Sequence, residues 1–548
     1  MVSPSVPTAQ RGVDFAVEPL FTLPEGCTPD AMTRSGHGFT VVELDDELVR
    51  VYWDGNGGEP FQGLTEQRDE TTAIFVSDDH EHVAYVGERD GMFFVGRDGH
   101  EDPPVEAFSR SVPPVFSHGG VHLAYGADRF LPTTGGEPEF ELILDGHPIN
   151  TMPVAPFQAV FSPLGERLAY VEMRKAADGG AELRVVLDGE PGAWFRGLRN
   201  AVGAMRFSPD GERFAFYRTD ERGGGQWVVD GEPQPICVDQ RPLSLARFRG
   251  IGIVEPELPA CFSPDGRRFA YTAELEGGGV AVIEPHTRGP RFKAAGMPVY
   301  SPDSQHLAYV AETPEKSLCL LVDGEAGPTW TATTVGTPIF SPDSQHTALL
   351  FAREERRMLR KHKTVGCVVD GRVIVEVDGD HWFGDPIFGP DSEHVAWWYE
   401  DDDLPQMMVD AEPFPSGHIA NSGAVFTSAG HLVFAAIVMP QGRETIMEGW
   451  RPGPLADVVH PDLSTKAVFV DPRTGDPSLP FAVSPDGAHI AWAGMFGDES
   501  RPVLDDRLGP PFDFVLSALF DASGAPCWWA QRDETVYRVT AAGEGEHR

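Results

Sequence analysis

The stretch SPDGRRFAY, residues 263–271, decides the architecture of this chain because it keeps returning. It reads SPDGERFAF from Ser208, SPDSQHLAY from Ser301, SPDSQHTAL from Ser341 and SPDGAHIAW from Ser484. Looser copies are SDDHEHVAY from Ser77, SHGGVHLAY from Ser117, SPLGERLAY from Ser162 and GPDSEHVAW from Gly389. Weak copies lie around Gly36, Ser428 and Asp521. Proline presets φ at the second position of a turn, and aspartate bonds its own local backbone, so the Pro-Asp-Gly core is a turn. A second phrase follows most copies: LILDG ends at Gly146, WVVDG at Gly231, LLVDG at Gly324 and CVVDG at Gly371. Asp-Gly between two apolar runs signals a type I′ hairpin. Each repeat therefore reads as two hairpins. Around Ser341 the strands are TPIF, HTALLFA, TVGCVV and RVIVEV, joined by SPDSQ, a loop and Asp370-Gly371.

Four short strands in a repeat of this length are the signature of a β-propeller blade. Ser263 to Ser301 is 38 residues and Ser341 to Gly389 is 48. Helical solenoids share such periods, but the β-branched and aromatic runs, the frequent proline and the missing 3.6-residue periodicity exclude them. The eighth motif position is alanine in every clear copy, from Ala84 to Ala491, and the ninth is aromatic except at Leu349. Neighbours on a strand face opposite sides, so one face of each sheet offers a recess and the other a ring. Stacked blades need that pairing to fill space. The expected fold is all-β, a β-propeller of about twelve four-stranded blade units.

The SPDGxxxAY phrase resembles the WD40-like repeat of TolB-type β-propellers, found also in the propellers of tricorn protease and prolyl-oligopeptidase-type peptidases. The resemblance runs over nearly the whole chain and implies the fold while leaving function open. It does not extend to peptidase activity: the chain has no GxSxG nucleophile elbow and no residues left for a catalytic α/β domain.

The last repeat offers only three strands, whereas VDFAVEPLF, Val13 to Phe21, is a strand without a repeat of its own. Residues 1–26 are therefore expected to complete the last blade, since propellers close their edges. Twelve blades exceed the usual range for one ring. Two six-bladed lobes, 27–295 and 296–548, are slightly favoured over one twelve-bladed ring spanning 1–548. Extra residues occur at 241–258 and 459–478.

The chain has 548 residues, 84 acidic against 43 basic, and a formal charge of −41. Such a polyanion repels nucleic acid and anionic membranes, so neither is an expected partner. The N-terminus lacks the pattern of a secretory signal, and no apolar run is long enough to span a bilayer. The six cysteines have no CxxC or metal-ligand spacing, so a reduced, cytoplasmic setting is expected.

Few residues point to chemistry. The sixth motif position is histidine (His82, His122, His306, His346, His394, His489) or arginine (Arg167, Arg213, Arg268). It is expected to face solvent at the start of a strand, although a histidine ring could bind metal or sense pH. The motif aspartates, such as Asp210 and Asp265, are expected to serve their turns. Glu400-Asp401-Asp402-Asp403 reads as a solvated loop, and the pairs Trp397-Trp398 and Trp528-Trp529 as core. One segment breaks the acidic background: Arg353, Arg356, Arg357, Arg360, Lys361 and Lys363 lie between two strands of one repeat. It is either an extended, solvated hairpin end or a dock for an acidic partner segment or a phosphate-bearing ligand. The expected function is a non-enzymatic scaffold for protein–protein interaction whose acidic surface favours basic partners, with no catalytic residues, cofactor or metal. The alternative is a metal-dependent hydrolase or lactonase, or a small-ligand sensor, with its site in the central channel.

Overall fold

A computed structural model describes residues 15–541 apart from 45–47, 65–73, 110–111, 130–138, 153–157, 198–200, 220–224, 235–259, 276–277, 285–286, 358–359, 380, 402–403, 414–417, 429, 439–442, 449–450, 453–480 and 522. The regular structure of the described chain is strand throughout, apart from one three-residue 3-10 turn at His118–Gly120. Its strands form twelve antiparallel sheets of four or five strands, as β-propeller blades do.

The sheet around Ser341 shows how the sequence builds each one. Thr347–Arg357 pairs with Arg360–Val369, which pairs with Arg372–Asp378. Asp370 and Gly371 both take positive φ, 47° and 74°, as a type I′ turn requires. The inner strand is split: Thr334–Val335 and Ile339–Phe340 both pair with Thr347–Arg357. Pro338 stands between the pieces and has no N–H for the ladder, so pairing lapses there. The same break separates Ala294–Ala295 from Val299–Tyr300, at Pro298. The sequence pattern points only to the second piece.

The core is layered between consecutive sheets. Ala270 and Val282 of one sheet pack with Tyr309, Ala311 and Leu321 of the next. Ala215 meets Tyr271, Ala348 meets Trp397, Ala84 meets Tyr125 and Ala491 meets Trp528. The exception to the aromatic rule obeys the same geometry, because Leu349 lies in the layer with Ala308. In these layers the recess of one sheet receives the large side chain of its successor, which is close packing.

The contacts divide the chain into two compact parts. One comprises Met1–Pro60 and Ser416–Arg548, the other Phe61–Pro415. Within the first, Phe15–Thr22 pairs antiparallel with Thr535–Ala541 and forms the outer strand of the last sheet. A division after residue 295 would cut the ladder that joins Ala294 and Ala295 to Glu312 and Ala311. The extra segments 241–258 and 459–478, and Val13 and Asp14 of the N-terminal strand, lie outside the described residues.

Candidate functional site

The motif side chains gather at one end of each sheet, where the Ser-x-Asp turn and the Asp-Gly turn lie together. The motif serine is buried. Ser263 Oγ donates to Asp265 Oδ1 at 2.6 Å and accepts from the Arg268 backbone N–H at 2.9 Å. The serine hydrogen bond, with the Arg267 backbone N–H, holds the Asp265 carboxyl below its usual range. Asp303, Asp343 and Asp486 are lowered in the same way, each first by its serine. These aspartates serve their turns, as the sequence suggests.

The sixth motif position does more than face solvent. His346 Nδ1 meets Asp370 Oδ2 at 2.9 Å, while Asp370 Oδ1 accepts the Thr347 backbone N–H at 2.9 Å. One carboxylate of the Asp-Gly turn thus ties down both the side chain and the backbone where the second strand begins. The same couple joins His82 to Asp98, His122 to Asp145, His306 to Asp323, His394 to Asp410 and His489 to Asp505. His37 and Asp54 form it too, at 2.7 Å, which makes the weak early copy a full repeat in its chemistry. The hydrogen bond to aspartate raises the pKa of His346 and of His394.

Arginine at this position reaches further. Arg213 Nε bonds Asp230 at 2.7 Å, its Nη1 donates to the Arg267 carbonyl of the next repeat at 2.6 Å, and its guanidinium lies 5.5 Å from the Phe262 ring. Arg167 and Arg268 repeat the arrangement. Where the motif reads Pro-Asp-Ser, the second serine links repeats instead. Ser304 Oγ accepts the Asp265 backbone N–H at 2.9 Å, and Ser344 Oγ that of Asp303 at 3.0 Å. At Gly266, in a Pro-Asp-Gly copy, a side chain has no room: a Cβ would fall 2.6 Å from the Asp210 carboxylate. These stitches were missed in the sequence, although the sixth-position cation and the Asp-Gly phrase recur together.

The remaining candidates fall as follows. Trp397, Tyr399, Trp528 and Trp529 are buried, and Trp398 is half-buried. Trp528 Nε1 donates to the Trp492 carbonyl of the preceding sheet at 2.9 Å. Glu400 and Asp401 end a strand, and Asp402 and Asp403 lie outside the described residues. The Cys261 and Cys367 thiols are pushed up to about 12 by burial, which leaves them poor nucleophiles. Among the described residues no group of three or more His, Cys, Asp or Glu is placed to hold a metal ion, and no helix is long and apolar enough to cross a membrane.

The basic segment forms a hairpin longer than those of the other repeats. Its strands run Thr347–Arg357 and Arg360–Val369, and pairing continues to Arg357 opposite Arg360. Arg356 stands opposite Lys361 and Glu354 opposite Lys363. Arg353 is tied to the sheet itself, to Glu376 at 3.0 Å and to the Thr331 carbonyl at 3.0 Å. The sequence set is thereby divided: Arg353 secures the hairpin's base, and Arg356, Arg357, Arg360, Lys361 and Lys363 follow along it.

No protein-family model matches the chain, nor does any curated protein sequence. Among solved structures the chain is similar to a eukaryotic initiation factor, at 14% identity over 66% of this chain and 90% of that one, with a TM-score of 0.34. It is similar to TolB from Acinetobacter baumannii, at 14% identity over 53% and 77%, with a TM-score of 0.21. Kuenenia stuttgartiensis hydrazine synthase matches at 13% identity over 62% and 96%, with a TM-score of 0.24. Likeness at this level bears on neither partner nor activity.

Proposed function

We propose that the twelve sheets are propeller blades and that the chain is a non-enzymatic scaffold for protein partners, chiefly basic ones. One observation carries this reading. The recurring polar side chains, which are the natural candidates for chemistry, are engaged in holding turn to strand and repeat to repeat. What such a body offers a partner is rigid, charged surface. At a formal charge of −41 it attracts cationic surfaces over long range, speeding encounter and making association sensitive to salt. The basic hairpin is the local exception and suits an acidic segment, giving the scaffold docks of both signs.

The test is capture on the immobilised full chain at low and at high salt, followed by reconstitution with the purified partner. The reading predicts a stoichiometric basic partner that salt releases. Failure to retain any partner, together with stoichiometric bound metal and turnover of a small substrate, would establish the channel-site enzyme in its place.

A further inference from the structure

We propose that the strand Arg372–Asp378 is a docking edge that takes an extended acidic peptide as an added outer strand, its acidic residues set against the neighbouring basic hairpin. This deepens the scaffold reading and rests on it.

The outer strands of this protein are guarded. Among the described residues most begin with a piece of two residues, as at Asn56–Gly57 and His100–Glu101, and several pair again only after a break, as at Val105 opposite Phe93 and Phe512 opposite Ser500. Among the described residues four outer strands reach six residues or more. Phe15–Thr22 contains Pro19, His147–Met152 contains Pro148, and Glu325–Trp330 contains Pro328. Proline on an outer strand removes a donor that an incoming chain would need. The fourth, Arg372–Asp378, reads RVIVEVD and contains none. It is the last strand of its sheet's order, and among the described residues no backbone pairs with its outer side. Its one irregularity is at Ile374, skipped where Cys367 pairs with Val375 and Val368 with Val373. Val373 and Ile374 are exposed, at 40% and 39%. From Val375 to Asp378 the ladder is regular, so the outward N–H and C=O groups form a template for strand addition.

The hairpin supplies the choice of partner. The strand ends at Asp378, opposite Thr364. Asp378 still reaches His362 at 3.2 Å and the Gly379 N–H the Lys363 carbonyl at 3.3 Å, and from there the hairpin runs on through Lys361 and Arg360 to Arg357 and Arg356. A peptide laid along Arg372–Asp378 and continuing past Asp378 meets this overhang. Most of the chain repels an acidic peptide, and on the strand itself Glu376 is paired with Arg353 and Asp378 with His362, so the hairpin's remaining cations set the sign here. Main-chain pairing supplies affinity and alternate side chains supply selectivity, and an alternating apolar–acidic segment satisfies both.

The probe is a short fluorescent peptide alternating valine and glutamate, titrated into the full chain. Its partner probe has the same sequence with alternate backbone nitrogens methylated, which preserves charge and side chains but removes ladder donors. The proposal expects saturable binding of the first, weakened by salt, and at least about tenfold weaker binding of the second. The double variant Arg356→Glu, Lys361→Glu, with an unchanged circular dichroism spectrum, is expected to lose binding by a similar factor. Equal binding of both peptides, lost in the double variant, would overturn strand addition while leaving the hairpin as an electrostatic dock. No binding of either peptide, or a chain that pairs with its own copies through this edge, would overturn the proposal and leave the basic-partner capture as a separate question.

Discussion

At the scale of single residues, the repeat is a device for satisfying polar groups at one end of each sheet. The buried motif serine is its centre: removing Ser263 Oγ strands the Arg268 N–H and frees Asp265. Ser263→Ala is expected to cost about 1–3 kcal/mol in denaturant unfolding, as for a buried donor left unpaired. Ser344 separates two effects, since its φ is +67° and its hydroxyl accepts from Asp303 of the repeat before. Ser344→Gly loses the bond but relieves the backbone, whereas Ser344→Ala loses the bond and keeps the strain. The alanine variant should therefore be the less stable, by about 1 kcal/mol. The histidine couples give a pH signature. The pKa values of His346 and His394 are raised above 6.5 by their aspartates. Their stabilisation is complete below that value and fades as pH rises through the folded-state pKa. The melting-temperature gap between the native chain and a His346→Gln, His394→Gln variant should be wider near pH 6 than near pH 9. For Asp265 and Asp303, lowered from 3.8, the sign is opposite: their stabilisation holds above that value and is lost as pH falls through the folded-state pKa.

At the scale of strands and sheets, the layers between blades carry the packing. Ala270 is fully buried in the layer with Tyr309, so Ala270→Leu must displace the ring of the next sheet. A loss of about 1–3 kcal/mol is expected, measurable in the same unfolding experiment. This level was largely legible in the sequence, because period-two alternation states which face each residue takes and the two turn phrases mark where strands end. Leu349 shows how far that logic reaches, since the odd residue of the motif still fills its neighbour's recess. The split inner strand was not legible: Pro298 and Pro338 signal a break in pairing, but not that pairing resumes before them. The long outer strand Arg372–Asp378 was read as a strand, yet that it alone of the long described outer strands has no proline emerges only beside the others. The candidate site was least legible. The histidine and the Asp-Gly aspartate lie 16 to 24 residues apart, as in His306 with Asp323 and His346 with Asp370, and only the hairpin register brings them together. Composition revealed the basic segment but not that Arg353 is tied to the sheet while its neighbours follow a longer hairpin.

At the scale of the whole molecule, function follows from what the repeats leave over. The motif residues are occupied in linking repeats, and the proposed scaffold would work through its surfaces, with acidic residues over most of the sequence and basic ones at one hairpin. Long-range attraction between opposite charges weakens as the Debye length shrinks, from about 10 Å at 0.1 M salt to about 3 Å at 1 M. The most direct test is the affinity of the full chain for its purified, captured partner across that range of salt, with bound metal quantified in the same preparation. The account predicts a stoichiometric complex whose affinity falls steeply with salt, and no metal in stoichiometric amount. A chain that retains no protein at low salt, carries one metal ion per molecule and turns over a small substrate would contradict it.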